Sequence, residues 1–439
     1  MMHYVMTLLL FIIVFGIVVM SHEFGHFLIA RMNGIHVVEF MIGMGPKIIS
    51  WGKKDTIYSI RLLPIGGACM FEGEDGLNER EGDAKDSPSA FPNANVWARI
   101  ATVVAGPFFN FILAMLVAVI MVPMIQVHDT VVRQVMDGSA AEEAGLQPGD
   151  KILKLNGERI YLFSELQIFK QMNKGSSVTV TYERDGKRYD TVMTPKFNEQ
   201  AGAYEYGIVN TNVRISEVEE GSAAWQAGIQ AGDVILKANG QKVYSFEELF
   251  NQAKSSENGE VTVIYERDGK ECETLVKPTF KEETGNYYFG LKSGSTFLKV
   301  RGLQCVQYGW YEVRAGIRNT YKSLLMLIKG KLGSKDVAGP VGMAHMVGEI
   351  YEETKEDWLD VLVNMMNLTM LISVSLGIMN ILPLPALDGG RLVFLIVEVF
   401  RGKPVPPEKE GMVHFVGLVF FMILMVVVMF NDIRNIVGM

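Results

Sequence analysis

The chain has 439 residues, 49% of them hydrophobic, with 49 acidic against 41 basic side chains and a formal net charge of −8. That length allows roughly two to four domains, and the apolar share lies between those of soluble and fully membrane-embedded proteins. A net acidic chain without a basic stripe lacks the footprint of a nucleic-acid binder. Three widely spaced cysteines, Cys69, Cys272 and Cys305, exclude a disulfide framework or a cysteine zinc cluster and read as structural thiols.

The first predicted element is an apolar helix from Tyr4 to Ala30. No basic stretch precedes it and no small-residue cleavage site follows, so it reads as a membrane span rather than a signal peptide. It carries His22-Glu23-Phe24-Gly25-His26, an H-E-x-x-H motif. The helical period puts His22 and His26 on one face, able to share a Zn²⁺, with Glu23 beside them as general base. Three ionisable groups in a membrane helix cost several kcal/mol, and such groups signal function or pairing.

Gly43 to Asp75 follows, with turn signals at Gly43-Met-Gly45-Pro46 and Leu63-Pro-Ile-Gly-Gly67 and a strand-like run at Thr56 to Arg61. A second span is predicted over Ile100 to Ile125.

The middle of the chain repeats itself with a period of 83 residues. Ala144-Gly-Leu-Gln-Pro-Gly-Asp150 returns as Ala227-Gly-Ile-Gln-Ala-Gly-Asp233, and Tyr182-Glu-Arg-Asp-Gly-Lys187 as Tyr265 to Lys270. Each copy combines β-rich runs, an Arg-Asp-Gly hairpin turn and a short helix, Ser164 to Met172 or Ser245 to Lys254, opened by a serine at a cap position. The Gly-Ser-x-Ala pattern followed by Ala-Gly-[Leu/Ile]-x-x-Gly-Asp resembles PDZ domains of bacterial proteases. That likeness implies peptide-binding loops at Tyr206-Gly207-Ile208 and Phe289-Gly290-Leu291. The same glycines would also serve simply to start strands, and the domains would then act sterically.

Beyond the repeat, Trp310, Ile317, Tyr321, Leu324 and Ile328 recur at helical spacing among Arg314, Arg318 and Lys322. They make either a helix on the membrane surface or a core helix packed on the repeats. The third span runs from Leu362 to Leu382 and leads into Asn380-Ile-Leu-Pro383-Leu-Pro385-Ala-Leu-Asp388-Gly-Gly390. The prolines break the helix, and the glycines let the backbone turn around Asp388. Catalytic zinc takes three protein ligands, and Asp388 is the candidate for the third. Asn380 either orients substrate or the oxyanion, or merely helps break the helix. A fourth span, Val413 to Phe430, is marginal in length.

These motifs resemble the intramembrane site-2 metalloproteases, in particular the RseP-like members with two PDZ domains, over nearly the whole chain. His22, Glu23 and His26 match the first family motif, Leu387-Asp388-Gly389 the second, Val104 to Asn110 a motif of the second span and Gly339 to Ala344 one before the third. The resemblance implies a multi-pass α-helical membrane protein with four transmembrane helices and two inserted α+β PDZ-like domains. Its parts are a membrane part at 1–128, PDZ-like domains at 129–211 and 212–294, a linker at 295–357 and a second membrane part at 358–439.

The implied activity is that of a metalloendopeptidase with one zinc per chain. It cuts transmembrane protein substrates already trimmed outside the membrane, of the anti-sigma factor type, or remnant signal peptides. Gly43 to Asp75 resembles the family's membrane-associated hairpin, whose edge holds substrate extended; a plain cytoplasmic hairpin is the alternative. Lys and Arg follow the first span and fill the loop between the third and fourth, which puts those loops in the cytoplasm of a bacterial cell and the PDZ-like domains outside it. A PDZ scaffold or chaperone without proteolysis, and a metal transporter, are the rival functions. Substrate identity and oligomeric state are not legible.

Overall fold

A computed structural model describes residues 2–52, 55–73, 87–173, 175–199, 202–256, 259–282, 286–294, 298–330 and 338–437. The hairpin reading's last residue, Asp75, lies outside them. The chain forms two compact units, residues 1–125 with 301–439 and residues 126–300.

In the first unit, helix α1 (Met2–Met32) leads into strands β1 (Val37–Trp51) and β2 (Ile57–Phe71), then helix α2 (Val96–Met121). The turn signals read at Gly43, Gly45 and Gly66 do not end strands. With φ of 84°, 87° and 82° they bend the strands instead, because glycine adopts a left-handed backbone at little cost. Met41 therefore pairs with Ala68 on one side and Ser59 on the other, while Ile49 pairs with Ile60. The first half of β1 is thus sandwiched, and Gly67–Phe71 is left at an edge.

The second unit holds the repeat. Helices α3 (Ala140–Glu143) and α4 (Phe163–Asn173) of the first copy return as α5 (Ala223–Gln226) and α6 (Phe246–Lys254). Strands Val178–Arg184 and Lys187–Met193 return as Val261–Arg267 and Lys270–Val276. The Asp-Gly turns have the doubly positive φ of a tight hairpin, 52° and 73° at Asp185 and Gly186, 51° and 76° at Asp268 and Gly269.

Each copy closes on its own apolar core, around Leu155, Val178 and Met193 in one and Leu249, Val261 and Val276 in the other. Buried Asp150 takes two 2.7 Å hydrogen bonds from Arg184, and Asp233 takes the same pair from Arg267. This accounts for the Gly-Asp and Glu-Arg-Asp-Gly segments recurring together.

Ser245 caps α6, its hydroxyl accepting from the Glu248 N–H at 3.1 Å. Ser164 does not cap α4; it lies inside the helix. Leu162 occupies the position equivalent to Ser245, and the Glu165 carboxylate satisfies the Tyr161 and Leu162 N–H groups instead, at 2.7 and 3.1 Å.

The chain returns to the first unit through α7 (Leu303–Ile328), α8 (Pro340–Thr354), α9 (Trp358–Ile381), α10 (Asp388–Arg401) and α11 (Pro407–Val437). Among the described residues, four helices are long and apolar enough to cross a membrane: His3–Met32, Val96–Met124, Trp358–Ile381 and Pro407–Ile436. The last, at 30 residues, is not marginal in length; it starts before the apolar run, at a helix-opening proline. Its Phe415, Val416, Phe420 and Ile423 point outward, the arrangement a lipid solvent rewards.

Helix α7 forms over the predicted stretch, but its buried face is Gly309, Val313, Ala315 and Gly316, whereas Trp310, Tyr321 and Ile328 are exposed. Val313 packs with Ala114 and Ala118 of α2 and Met370 of α9, so small residues rather than the aromatic stripe set the contact. Cys69, Cys272 and Cys305 are half-buried thiols outside any disulfide among the described residues.

Candidate metal centre

Helix α1 presents His22 and His26 one turn apart, both buried. After α9 ends at Ile381, the chain turns through Pro383 and Pro385 and enters α10 with Asp388 as its first residue. The two glycines that follow are sterically required. A Cβ on Gly389 would lie 2.0 Å from the Leu382 carbonyl oxygen, and one on Gly390 would lie 2.4 Å from that of Leu384. Just before Asp388, Ala386 holds a left-handed φ of 68°, and its N–H donates to Nδ1 of His414 from α11 at 2.9 Å.

This turn brings three donor atoms together. Nε2 of His22 lies 3.2 Å from Nε2 of His26, and Oδ2 of Asp388 lies 3.1 and 3.3 Å from them. Zinc bonds of about 2.0–2.1 Å at tetrahedral angles separate their donors by about 3.3 Å, so this triangle fits such an ion. Oδ2 of Asp388 is buried without a hydrogen bond among the described residues, as an atom reserved for a cation would be. His26 turns its other nitrogen, Nδ1, to the Thr102 carbonyl of α2 at 2.8 Å.

Glu23 stands on the same recess, which is lined by the three donor residues, Arg391 and the edge segment from Gly67 to Phe71. A Cβ on Gly67 would meet Cγ of Glu23 at 3.0 Å, so the glycine lets the edge strand approach the carboxylate, and the Cys69 backbone hydrogen-bonds Glu23. The donors are two nitrogens and one oxygen with one side open to the recess, a set that suits zinc and hydrolysis.

Asn380 is half-buried near the end of α9 and does not line the recess. In the first repeat, Tyr206, Gly207 and Ile208 line a separate recess with Leu166, Gln167 and Lys170 of α4. The Tyr206 hydroxyl is buried without a hydrogen-bond partner among the described residues, and burial pushes it up to about 12. Gly207 and Gly290, at φ 76° and 74°, approach Ser139 and Ser222 so closely that a Cβ would lie 2.1 Å from the serine Cβ. Phe289 is buried in the second repeat's core, with Leu291 partly buried against it.

Sequence reasoning singled out neither Thr102 nor His414, read Arg391 only as a basic residue of the loop after the third span, and assigned no individual role to Gly106 or Asn110. The motif Val104 to Asn110 was the available signal, since it places a glycine and a polar side chain in an apolar helix.

Peptidase family M50 matches this chain over residues 10–424. Similar proteins include the zinc metalloprotease RasP of Geobacillus kaustophilus, 31% identical with 98% of both chains covered. Another is the regulator of sigma-W protease RasP of Bacillus subtilis, 30% identical over 98% of this chain and 99% of that one. Among solved structures, the PDZ domain of an SdrC-like protein from Listeria monocytogenes is 23% identical over 19% of this chain and 87% of its own, with a TM-score of 0.17, too low to carry an argument.

Proposed function

The chain belongs to peptidase family M50, a family of zinc metalloproteases, and from that premise we propose that it cleaves peptide bonds at membrane depth with one zinc held by His22, His26 and Asp388. The observation that carries the reading is the triangle of Nε2, Nε2 and Oδ2 at 3.1–3.3 Å, with Glu23 on the same recess. When bound, zinc polarises a peptide carbonyl and lowers the pKa of water toward neutrality. Glu23 takes the proton of the attacking water and hands it to the departing amine.

The edge segment Gly67–Phe71 lines the same recess as Glu23, so a substrate strand laid along it would pass the carboxylate, which suits a peptide that must unwind before its carbonyls can be reached. Asn380, a short stretch of chain before the donor loop, would meet the substrate or its oxyanion only after movement toward the recess; otherwise it serves the break at the end of α9.

The substrate class is a single-span membrane protein already shortened on the far side, with anti-sigma factors the leading case and remnant signal peptides a second. The name of the Bacillus subtilis relative, a regulator of sigma-W, supports the first. The loops at Tyr206-Gly207-Ile208 and Phe289-Gly290-Leu291 either take a peptide end or leave the repeats to act by bulk. Basic residues cluster after the first and third apolar helices, which supports a bacterial cytoplasmic-membrane location with the repeats on the extracytoplasmic side. A PDZ scaffold without proteolysis has no use for three converging buried donor atoms.

The test measures zinc per chain in purified protein alongside cleavage of a membrane substrate, and compares membrane-protein fragments in cells carrying wild type or Glu23→Gln. Stoichiometric zinc with Glu23-dependent fragments supports the reading; absence of both sinks it.

A further inference from the structure

Asn110 is completely buried in α2, and its amide nitrogen is drawn 3.3 Å from Nδ1 of His22 while its Oδ1 has no partner among the described residues. Which end of a buried amide faces a neighbour is decided by the hydrogen bonds that each end can make. His22 fixes the choice. If Nε2 of His22 gives its lone pair to a metal, the ring proton sits on Nδ1, and a proton-bearing Nδ1 facing an NH₂ group sets donor against donor. Exchanging the amide ends gives the Nδ1–H an acceptor and removes the orphaned Oδ1 at once.

The neighbouring ligand supplies an independent precedent. Nδ1 of His26 faces the Thr102 carbonyl at 2.8 Å, and a carbonyl can only accept, so that ring carries its proton on Nδ1 and offers Nε2 to the triangle. Thr102 and Asn110 stand on the same helix, eight residues apart in the sequence, one for each histidine. The Asn110 backbone carbonyl is in turn held by Ser373 of α9 at 2.8 Å.

We propose that Asn110 is a positioning residue, its Oδ1 accepting from Nδ1–H of His22 and locking that ring in the tautomer and orientation that present Nε2 to zinc. This rests on His22 being a ligand, as proposed above. Such an outer partner of a ligating histidine is worth about 10–100-fold in metal affinity.

The experiment measures zinc affinity by chelator competition, and the absorption spectrum of the cobalt-substituted full-length protein, for wild type, Asn110→Asp, Asn110→Leu and His22→Ala. An aspartate can only accept, so Asn110→Asp is expected to keep affinity within a few-fold of wild type, whereas Asn110→Leu loses about 10–100-fold and alters the cobalt spectrum. Equal loss in Asp and Leu variants overturns the proposal, because it means the amide acts as a donor or only fills space. His22→Ala separates the two claims: if it keeps wild-type affinity, the metal site itself is misassigned. Should the Asp variant not fold, ¹⁵N-histidine spectra of the zinc-loaded wild type decide alone, and a His22 ring without a proton on Nδ1 overturns the proposal.

Discussion

Gly106 of α2 and His26 of α1 approach so closely that a Cβ built on Gly106 would lie 2.2 Å from Nε2 of His26 and 2.8 Å from Cε1 of His22. One hydrogen in place of a methyl group thus keeps open the space that a metal on these two histidines would need. Gly106→Ala is expected to push the imidazoles off their positions and lower turnover by about 100-fold, the cost of a misplacement near 1 Å. Gly16, on the same helix as the histidines, has open space where a Cβ would stand, with nothing within 4 Å, so Gly16→Ala should leave activity unchanged. Kinetics of the two purified variants check both outcomes.

Glu23 is not a member of the donor triangle, so Glu23→Gln should retain zinc while cleavage falls to background. Removing a general base costs about 10²–10⁴-fold. His22→Ala should lose metal and activity together. Normal turnover by the Gln variant would remove Glu23 from the mechanism.

Arg99 of α2 holds Glu398 of α10 through its two terminal guanidinium nitrogens, Nη1 and Nη2, tying the helix that begins at Asp388 to the helix that backs the histidines. The side chains are only 11% and 14% exposed. Removing one partner of a buried pair leaves an uncompensated charge and costs about 3–5 kcal/mol. Arg99→Met or Glu398→Leu should therefore lower the unfolding midpoint in detergent more than the double variant does. Additive losses would show that the two charges do not depend on each other.

Glu39 in β1 is nearly buried, which works against its ionisation, yet hydrogen bonds from Ser59, Lys47 and Arg61 hold its carboxyl below the ordinary carboxylate range. A lowered folded pKa stabilises the hairpin above the unfolded value of about 4.3 and loses that contribution as pH falls through the folded one. Hydrogen exchange of residues 37–51 should accordingly speed up as pH drops below that range, after correction for intrinsic rates. Glu39→Gln should flatten this dependence; an unchanged profile would assign it to another group.

The sequence carries the residue types that chemistry dictates, and loses those whose role depends on how helices cross. H-E-x-x-H and Leu-Asp-Gly can be read because metal donors are few in kind and rare in apolar helices. The doubled pairing of β1 was not legible, because a glycine at positive φ serves a turn and a strand bend equally well, as Gly43 and Gly66 show. The sequence left open what α7 packs against, because its contact with α2 and α9 runs through Gly309, Val313, Ala315 and Gly316, with only Ile317 of the predicted stripe beside them, and small residues carry little periodic signal. Thr102 acts through its backbone carbonyl, which no residue type encodes.

Two ends of the inserted unit pair with each other: Val127 and Leu298 form an antiparallel bridge, with the Leu298 N–H donating to the Val127 carbonyl at 2.8 Å. The chain therefore leaves the first unit after Ile125 and returns at Arg301 through adjacent points. Excising residues 128–297 and joining Val127 to Leu298 by a short glycine-serine linker asks no large movement of α2 or α7. Every group assigned to the chemistry, from His22 to Asp388, lies outside the excised stretch, so the shortened protein should bind zinc as the full chain does. If the repeats screen substrates by bulk, it should also cut an untrimmed membrane substrate that the full chain refuses, while both cut the trimmed form at similar rates. Intact and pre-trimmed versions of one substrate, assayed against both proteins at matched levels, measure this directly. A shortened protein that still refuses the intact substrate would end the screening role, and Tyr206→Ala and Phe289→Ala in the full chain would then ask whether the repeats act by holding a peptide end instead.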